Sequence, residues 1–130
     1  MLFEIKFLLE SMKTILVVDD EKTITDVIRT YLIESYKIVC ENSGRKALEI
    51  IEKTDLDLVI TDMVMPEVDG IALLSFVKKT RRMIPVLIMS GDPIGLQFLS
   101  VASMLGAAEK LCKPFTKETI LLAVEKAIGK

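Results

Sequence analysis

Residues 14–21 read Thr-Ile-Leu-Val-Val-Asp-Asp-Glu, a short β-branched run that ends directly in three acidic side chains. A continuous apolar run of this length is typical of a strand that is buried on both faces of a parallel sheet. Behind it, Ile24, Ile28 and Leu32 recur with the period of an α-helix and predict one apolar helical face. The segment therefore predicts a strand followed by a helix, with the acids at their junction.

The same strand-then-helix pattern occurs five times along the chain. Further strands are predicted at residues 37–40, 58–61, 86–89 and 109–112, each followed by a segment with helical periodicity. Thr116 is placed to cap the last helix, and Gly106 is placed to end the one before it. Short connections between alternating strands and helices predict a single doubly wound (βα)5 domain in three layers. Its α/β core would be a five-stranded parallel sheet with helices on both faces.

Length and composition exclude several classes of protein. The chain has 130 residues, of which 51% are hydrophobic, and this is enough for one packed domain. The net charge of −2, from 17 basic and 19 acidic residues, argues against direct nucleic-acid binding. Because histidine is absent, self-contained zinc hydrolysis and histidine-based nucleophilic catalysis are excluded. Cys40 and Cys112 lack the spacing of a metal site, and we interpret them as reduced core thiols.

No segment predicts membrane insertion or secretion. The longest uncharged run, residues 93–108, is shorter than the ~20 apolar residues that span a bilayer. Glu4 and Lys6 interrupt the apolar N-terminus, which also lacks a small-residue cleavage site. We expect a cytoplasmic protein without a membrane partner.

Chemically reactive side chains follow four of the five predicted strands. Asp19 and Asp20 come after the first strand, Asp62 after the third, Ser90 after the fourth and Lys113 after the fifth. Because doubly wound sheets bind ligands at the carboxyl ends of their strands, we expect these groups to meet at one edge. Clustered carboxylates repel one another unless a cation neutralises them, and their oxygens suit Mg²⁺. A lysine beside a hydroxyl fits phosphoryl oxygens, so the cluster predicts Mg²⁺-assisted phosphoryl transfer with an aspartate as nucleophile.

Four motifs on this framework resemble the receiver domain of the bacterial response-regulator family. They are ILVVDDE at residues 15–21, DLVITDMVMPEVDG at 57–70, PVLIMSG at 85–91 and GAAEKLCKPF at 106–115. In order and spacing they cover the chain from Met12 onward. This coverage predicts a receiver domain at residues 13–130 and an extension of uncertain structure at residues 1–12. The chemotaxis member of this family has the flavodoxin-like strand order 2-1-3-4-5, and the resemblance implies that order here.

The resemblance also implies a role for each residue of the cluster. Asp62 would accept the phosphoryl group. The Mg²⁺ ligands would be three carboxylates and one backbone carbonyl, from Asp19, Asp20, Asp62 and Val64. Ser90 and Lys113 would contact the phosphoryl oxygens, and the Lys113–Pro114 bond would be cis.

The resemblance further implies partners rather than a substrate. The phosphoryl donor would be a phosphohistidine on a sensor histidine kinase or a histidine phosphotransfer protein. Phosphorylation would shift the population between two pre-existing states of the domain that differ in their binding surface. A downstream protein would recognise one of these surfaces. On this interpretation the domain is a signalling receiver and not an enzyme, because it promotes only its own phosphorylation and dephosphorylation.

Several positions depart from the usual pattern of the family or tune its chemistry. The family carries an aromatic switch residue three positions before the lysine, where this chain has Lys110. No ring can swing inward behind Ser90 from there, and we expect phosphorylation to alter the neighbouring surface in an atypical way. By resemblance, Val64, Gly91 and Asp92 would control access of the donor and the rate at which the phosphoryl group is lost.

Two segments have more apolar residues than the core of such a domain would bury. Between Leu96 and Leu105 the residues are apolar nearly all round. This favours either a face for dimerisation or docking, or simply a hydrophobic helix. In the N-terminal extension, Phe3, Ile5 and Phe7 alternate as in a strand, but Phe3 and Phe7 would also share one side of a helix. The extension is expected to pack on its own domain or on a second copy.

Two alternative functions stay open. One is a phosphorylation-independent interaction module that keeps the receiver fold, and Lys110 leaves room for it. The other is a Mg²⁺-dependent phosphatase with an aspartyl-phosphate intermediate. Such enzymes usually have Asp-x-Asp after the first strand and a cap insertion, whereas Asp19 and Asp20 are adjacent here. A nucleotide-binding domain is disfavoured because no Gly-rich loop follows the first strand.

Overall fold

The computed structural model describes residues 1–91 and 99–129. In this part of the chain, strands and helices alternate as predicted, after one additional helix at the N-terminus. The strands are β1 (Thr14–Val18), β2 (Lys37–Glu41), β3 (Leu58–Asp62), β4 (Val86–Ser90) and β5 (Glu109–Cys112). The helices are α1 (Leu2–Ser11), α2 (Lys22–Leu32), α3 (Gly44–Lys53), α4 (Gly70–Thr80), α5 (Leu99–Met104) and α6 (Lys117–Gly129). None of the described helices is long and apolar enough to cross a bilayer.

The five strands form one parallel sheet in the order β2-β1-β3-β4-β5. The predicted fold class and strand order are therefore confirmed. The register aligns Val18 with Thr61, and Ser90 with Cys112, so neighbouring strands end at a common edge. Residues that directly follow β1, β4 and β5 are brought to the same edge as Asp62, the last residue of β3.

Two hydrophobic clusters lie on the two faces of the sheet. Leu16 and Val18 of β1 belong to one cluster, and Ile15 and Val17 belong to the other, as the two-residue period of a strand requires. Residues of α3, α4 and α5 complete the first cluster, and residues of α2 and α6 complete the second. These four β1 side chains are fully buried, and burial of each contributes about 1.5–3 kcal/mol. The three-layer architecture is confirmed.

Local sequence fixes where several helices begin or end. Ser43 caps α3 by accepting a hydrogen bond at 3.3 Å from an amide of the first turn, and Asp69 caps α4 in the same way at 2.9 Å. The predicted cap of α6 is confirmed, because the Thr116 hydroxyl accepts from the amide of Thr119 at 3.1 Å. Each bond satisfies a donor that a helix start leaves without an intrahelical partner. The chain turns away after α5 at Gly106, whose φ of 104° lies in the left-handed region.

The two cysteines occupy different environments. Cys40 is half-buried, and its Sγ lies 3.6 Å from the carbonyl oxygen of Thr25. Cys112 is exposed, so the prediction that it is a core thiol was wrong. β5 is an edge strand on which only Leu111 is fully buried, and the neighbouring side chains point the other way. The helices thus cover only one face of this edge strand.

The N-terminal extension forms the helix α1 rather than a strand. The alternation of apolar residues allowed either a strand or a helix, and the extension adopts the helix. The second apolar segment, between Leu96 and Leu105, lies partly outside the described residues. In its described part Ala102 is buried against the sheet, whereas Val101 and Met104 are exposed.

Candidate functional site

Asp19, Asp20 and Asp62 meet at the carboxyl edge of the sheet. β1 and β3 are neighbours, and the acids follow β1 or end β3. One carboxylate oxygen from each of the three residues lies within 4.8 Å of the other two. Asp19 is fully buried, Asp62 is half-buried and Asp20 is exposed. Carboxylates this close repel one another, and a cation or bound protons relieve the repulsion.

Lys113 reaches the same carboxylates from the edge strand. Its Nζ lies 2.8 Å from Oδ2 of Asp19 and 3.2 Å from Oδ1 of Asp62. Its main-chain N–H donates to the carbonyl oxygen of Ser90 at 3.0 Å, which ties the end of β5 to the end of β4. Burial alone would lower the pKa of Lys113, but the hydrogen bond to Asp19 and the charges of both carboxylates outweigh burial and raise the pKa. The amino group is therefore charged at neutral pH and serves as a counter-ion for the acids.

The electrostatics of the pocket act most strongly on Asp62. Its pKa is raised from the ordinary 3.8 to about 6. Burial is the largest cause, the negative charge of Asp19 adds to it, and the charge of Asp20 makes a smaller contribution. Lys113 lowers the pKa of Asp62 through its charge and its hydrogen bond, but it does not cancel the other effects. A second positive charge in this pocket would favour the ionised carboxylate, so the pocket is electrostatically suited to a cation.

An open cavity of about 360 Å³ borders this cluster. Besides acids and the lysine it is lined by Val64, Ser90 and Gly91, of which Ser90 is only 1% exposed. A Cβ atom added at Gly91 would lie 2.8 Å from the Cβ of Lys113, so any larger residue would displace the stem of the lysine. A larger cavity, of about 550 Å³, lies beside Arg81 at the opposite edge of the sheet and contains none of these groups.

Asn42 holds the main chain of Asp19 in place, and sequence reasoning missed it. Its Nδ2 donates to the carbonyl oxygen of Asp19 at 2.8 Å and to Oγ1 of Thr25 at 3.1 Å. The Asp19 side chain is fixed as well, because its Oδ1 accepts from the main-chain N–H of Glu21 at 2.9 Å. The strand order could have indicated this role, because Asn42 directly follows β2 and β2 is the neighbour of β1.

The loop after β3 closes tightly beneath Asp62. A Cβ atom added at Gly70 would lie 2.3 Å from the carbonyl oxygen of Asp62, so only glycine allows α4 to begin there. The N–H of Gly70 donates to the carbonyl oxygen of Met63 at 3.0 Å and joins the two ends of the loop. In the middle of the loop, Glu67 has a left-handed φ of 64° and forms an ion pair of 2.9 Å with Arg45. The backbone that follows the Asp62 carboxylate is thereby fixed at three points.

The donor set of the pocket fits Mg²⁺. This ion takes oxygen ligands, binds proteins through a few carboxylates and retains several waters. The three clustered carboxylates offer such oxygens, and the adjoining cavity leaves space for waters. Val64, which the family resemblance implies as a main-chain ligand, borders the same cavity.

The remaining predicted positions are distributed as follows. Lys110 lies on the exposed side of β5, where it is aligned with Ile88 of β4. The Lys113–Pro114 bond is cis, as the resemblance implied. Asp92 lies outside the described residues.

The fold and the site together define a class: a doubly wound α/β domain with a cation-suited acidic pocket at the carboxyl edge of its sheet. The sequence pattern of the family described as "Response regulator receiver domain" matches residues 15–125. The chain belongs to the response regulator receiver family of two-component systems. Domains of this family are signalling modules rather than classical enzymes.

Individual relatives agree with this assignment. The response regulator SaeR of Staphylococcus aureus (strain USA300) is 30% identical over 118 residues, which cover 90% of this chain and 51% of that protein. The chain thus spans about half the length of the curated relatives it matches. Two solved structures extend the comparison to the fold. A response regulator receiver domain protein from Clostridium thermocellum has a TM-score of 0.85 and 34% identity, over 91% of this chain and 95% of that one. The chemotaxis protein CheY4 of Vibrio cholerae has a TM-score of 0.80 and 27% identity, over 90% and 99%.

Proposed function

We propose that this domain accepts a phosphoryl group on Asp62 from a phosphohistidine of a sensor kinase or a phosphotransfer protein. The observation that carries the proposal is the placement of Asp62, half-buried at the cavity with a second carboxylate and a charged lysine beside it. A carboxylate Oδ of Asp62 attacks phosphorus, and the P–N bond to the donor imidazole breaks as the new O–P bond forms. The imidazole leaves with the electron pair and takes up a proton.

The residues around Asp62 have separate electrostatic roles in this transfer. Mg²⁺ would be held by Asp19, Asp20, Asp62 and the main-chain carbonyl of Val64, and it would supply positive charge that offsets the negative charge of the phosphoryl oxygens. With a pKa of about 6, Asp62 is mostly ionised at neutral pH and is available as the nucleophile. Asn42 and the amide of Glu21 keep Asp19 in position while charge is redistributed.

Lys113 and Ser90 connect the phosphoryl group to the surface of the domain. The amino group of Lys113 already bridges Asp19 and Asp62, so that it needs to move little to contact a phosphoryl oxygen. The hydroxyl of Ser90, at the edge of the same cavity, donates to another oxygen. Phosphorylation thereby draws the ends of β4 and β5 toward Asp62 and changes the surface that a downstream protein recognises.

One observation favours a second candidate, a receiver-like module that binds its partner without phosphorylation. Lys110 stands where the family resemblance places an aromatic switch residue, and its side chain is exposed on the edge strand. Because Lys110 has no ring, the usual inward movement of an aromatic side chain cannot be coupled to Ser90 here. In this second candidate the acidic pocket would bind a cation, but the partner surface would not respond to phosphorylation.

Intact-mass spectrometry after incubation with acetyl phosphate and Mg²⁺ tests the proposal. We expect a gain of one phosphoryl group in the parent protein, no gain in Asp62→Asn, and no gain when the cation is chelated beforehand. Asp55→Asn is the matched control, because this aspartate is fully exposed outside the pocket and should leave the gain unchanged. A parent protein that gains no mass and shows no amide shifts with beryllofluoride would contradict phosphorylation at Asp62 and favour the second candidate.

A further inference from the structure

The turn between β2 and α3, at residues 42–45, contacts both halves of the acidic pocket. At the start of the turn, the side chain of Asn42 donates to the carbonyl oxygen of Asp19 at 2.8 Å. At its end, the turn meets the loop that follows Asp62. A cavity of about 170 Å³ is enclosed by this turn, by the loop and by Asp20. The turn therefore lies where it can set the distance between the acids that follow β1 and the loop that follows β3.

Gly44 allows the loop to lie directly against this turn. The glycine is buried at the start of α3. A Cβ atom added to it would overlap the carbonyl oxygen of Val68 and would lie 3.1 Å from the Cβ of Val68. The obstruction is main chain, which cannot rotate away as the end of a flexible side chain can. Any larger residue at this position would therefore displace the loop, by on the order of 1 Å.

The loop is bonded internally, so a displacement at Val68 is passed on to the residues before it. The N–H of Val68 donates to the carbonyl oxygen of Pro66 at 2.8 Å, and Glu67 between them has a left-handed φ of 64°. A second link to the turn is the ion pair of 2.9 Å between Arg45 and Glu67. Because the other end of the turn stays bonded to Asp19, a loop pushed away from the turn is also pushed away from the acids.

We propose that Gly44 makes the acidic pocket selective for a small divalent cation, because it lets the loop lie close to the acids. The inference rests on the proposed function, in which the main-chain carbonyl of Val64 on this loop would complete the ligand set. Mg²⁺ requires near-octahedral oxygens at about 2.0–2.1 Å, whereas Ca²⁺ accepts a flexible geometry at about 2.3–2.6 Å. A loop displaced outward would leave the site too wide for Mg²⁺ and still suitable for Ca²⁺. Gly44 acts through the loop and is a positioning residue.

Titrations of the full chain with Mg²⁺ and, separately, with Ca²⁺ test this role when they are followed in amide spectra. We expect the parent protein to bind Mg²⁺ more tightly than Ca²⁺. Gly44→Ala should weaken Mg²⁺ binding at least about tenfold, as is typical when the support of a ligand is lost, and should weaken Ca²⁺ binding much less. The ratio of the two affinities is the decisive quantity, because a general loss of stability or a change of net charge affects both divalent ions alike.

Gly129→Ala is the matched control for this substitution. It also replaces a glycine in a helix by alanine, but nothing lies within 4 Å of the added atom, so it should keep the parent ratio of affinities. A second readout needs no cation. In the presence of a chelator, the amide signals of residues 64–68 should shift in Gly44→Ala and stay unchanged in Gly129→Ala.

The ion pair between Arg45 and Glu67 provides a second test that does not depend on a backbone clash. Arg45→Glu places two like charges at the contact and should lower the ratio of Mg²⁺ to Ca²⁺ affinity. The change should be smaller than in Gly44→Ala, because both side chains of the pair are more than half exposed. Arg45→Glu/Glu67→Arg restores an ion pair at the parent net charge and should restore the ratio. Lys46→Glu is the control, because it makes the same change of charge on the next, exposed residue.

An unchanged ratio of affinities in Gly44→Ala would overturn the proposal, provided that its melting curve shows a folded protein. If that variant does not fold, an unchanged ratio in Arg45→Glu overturns the proposal instead. A parent protein that binds Ca²⁺ as tightly as Mg²⁺ would also refute it. A parent that binds neither cation would refute the proposed metal site together with this inference. None of these titrations requires a phosphoryl donor, so the phosphoacceptor role of Asp62 is judged separately by its gain of mass.

Discussion

The ionised carboxylate of Asp62 destabilises the cation-free domain, and we expect Asp62→Asn to stabilise it. The carboxylate lies in a partly buried pocket beside Asp19 and Asp20, and the folded state therefore raises its pKa to about 6. Asparagine has nearly the same shape as the protonated acid but no charge. The substitution thus removes the repulsion while it retains the packing and a hydrogen-bond acceptor for Lys113.

The raised pKa fixes the sign and the size of this effect. Between pH 3.8 and about 6, the folded state holds a proton on Asp62 that the unfolded state has released, and stability falls as the pH rises through this window. Above the folded pKa the ionised carboxylate lowers the free energy of unfolding by its full amount. That amount is about 3 kcal/mol, because each pH unit between the two pKa values contributes about 1.36 kcal/mol. At pH 5 the same relation leaves about half of that cost. Asp62→Asn should therefore gain about 3 kcal/mol near neutral pH and about half as much at pH 5.

Urea unfolding in the presence of a chelator measures this gain. With a slope of about 1–3 kcal/mol per M, the midpoint of Asp62→Asn should rise by about 1–3 M urea at neutral pH. Asp55→Asn is the control, because that carboxylate is fully exposed and its pair with Arg81, at 3.6 Å, is screened by solvent. Adding Mg²⁺ should narrow the gap, since the cation stabilises the parent pocket more than the variant. A variant no more stable than the parent near neutral pH, or a gain undiminished at pH 5, would refute the reasoning.

Three further substitutions test other parts of the site. Gly70→Ala should cost about 1–3 kcal/mol in urea unfolding and slow the proposed phosphorylation, because its Cβ clashes with the backbone carbonyl of Asp62, the proposed phosphoacceptor. Gly129→Ala, with nothing within 4 Å of the added atom, should cost nothing, and equal losses in the two variants would contradict this account. Asn42→Ala should weaken Mg²⁺ binding about tenfold in calorimetric titration, because it releases the main chain of Asp19, and an unchanged affinity would show that this bond does not support the metal site. In amide spectra recorded with and without beryllofluoride, Lys110→Tyr should change the shifts along β5 and α6, whereas shifts identical to those of the parent would show that the missing ring is irrelevant.

The site residues that the sequence could predict are those that directly end or follow a strand. Asp19, Asp62 and Lys113 are far apart in the chain, but in a parallel sheet every strand ends at the same edge. Their residue types then restrict the chemistry to cation and phosphoryl binding. The periodicity of the sequence was also sufficient to predict the three layers, since successive side chains of β1 belong to the two hydrophobic clusters in turn.

Other features depend on neighbours across the sheet, which periodicity does not identify. The role of Asn42 follows only from the pairing of β2 with β1, and the sequence indicated no more than a helix start at this position. The exposure of Cys112 follows from the edge position of β5, on which only Leu111 is buried. The extension at residues 1–12 satisfies the patterns of a strand and of a helix equally well, so its conformation could not be chosen from the alternation of Phe3, Ile5 and Phe7.

Lys113 links the charge of the pocket to the outer surface of the sheet. In the cation-free domain its amino group pairs with both Asp19 and Asp62 and offsets part of their combined negative charge. On the proposed function, a bound cation would offset the charge of those carboxylates, and the amino group would become available to the phosphoryl oxygens. The lysine cannot shift alone, because its amide is bonded to the carbonyl group of Ser90 and its stem lies against Gly91. On the proposed function, a change of charge at Asp62 would therefore act on the ends of β4 and β5 together, and β5 is an edge strand of the sheet.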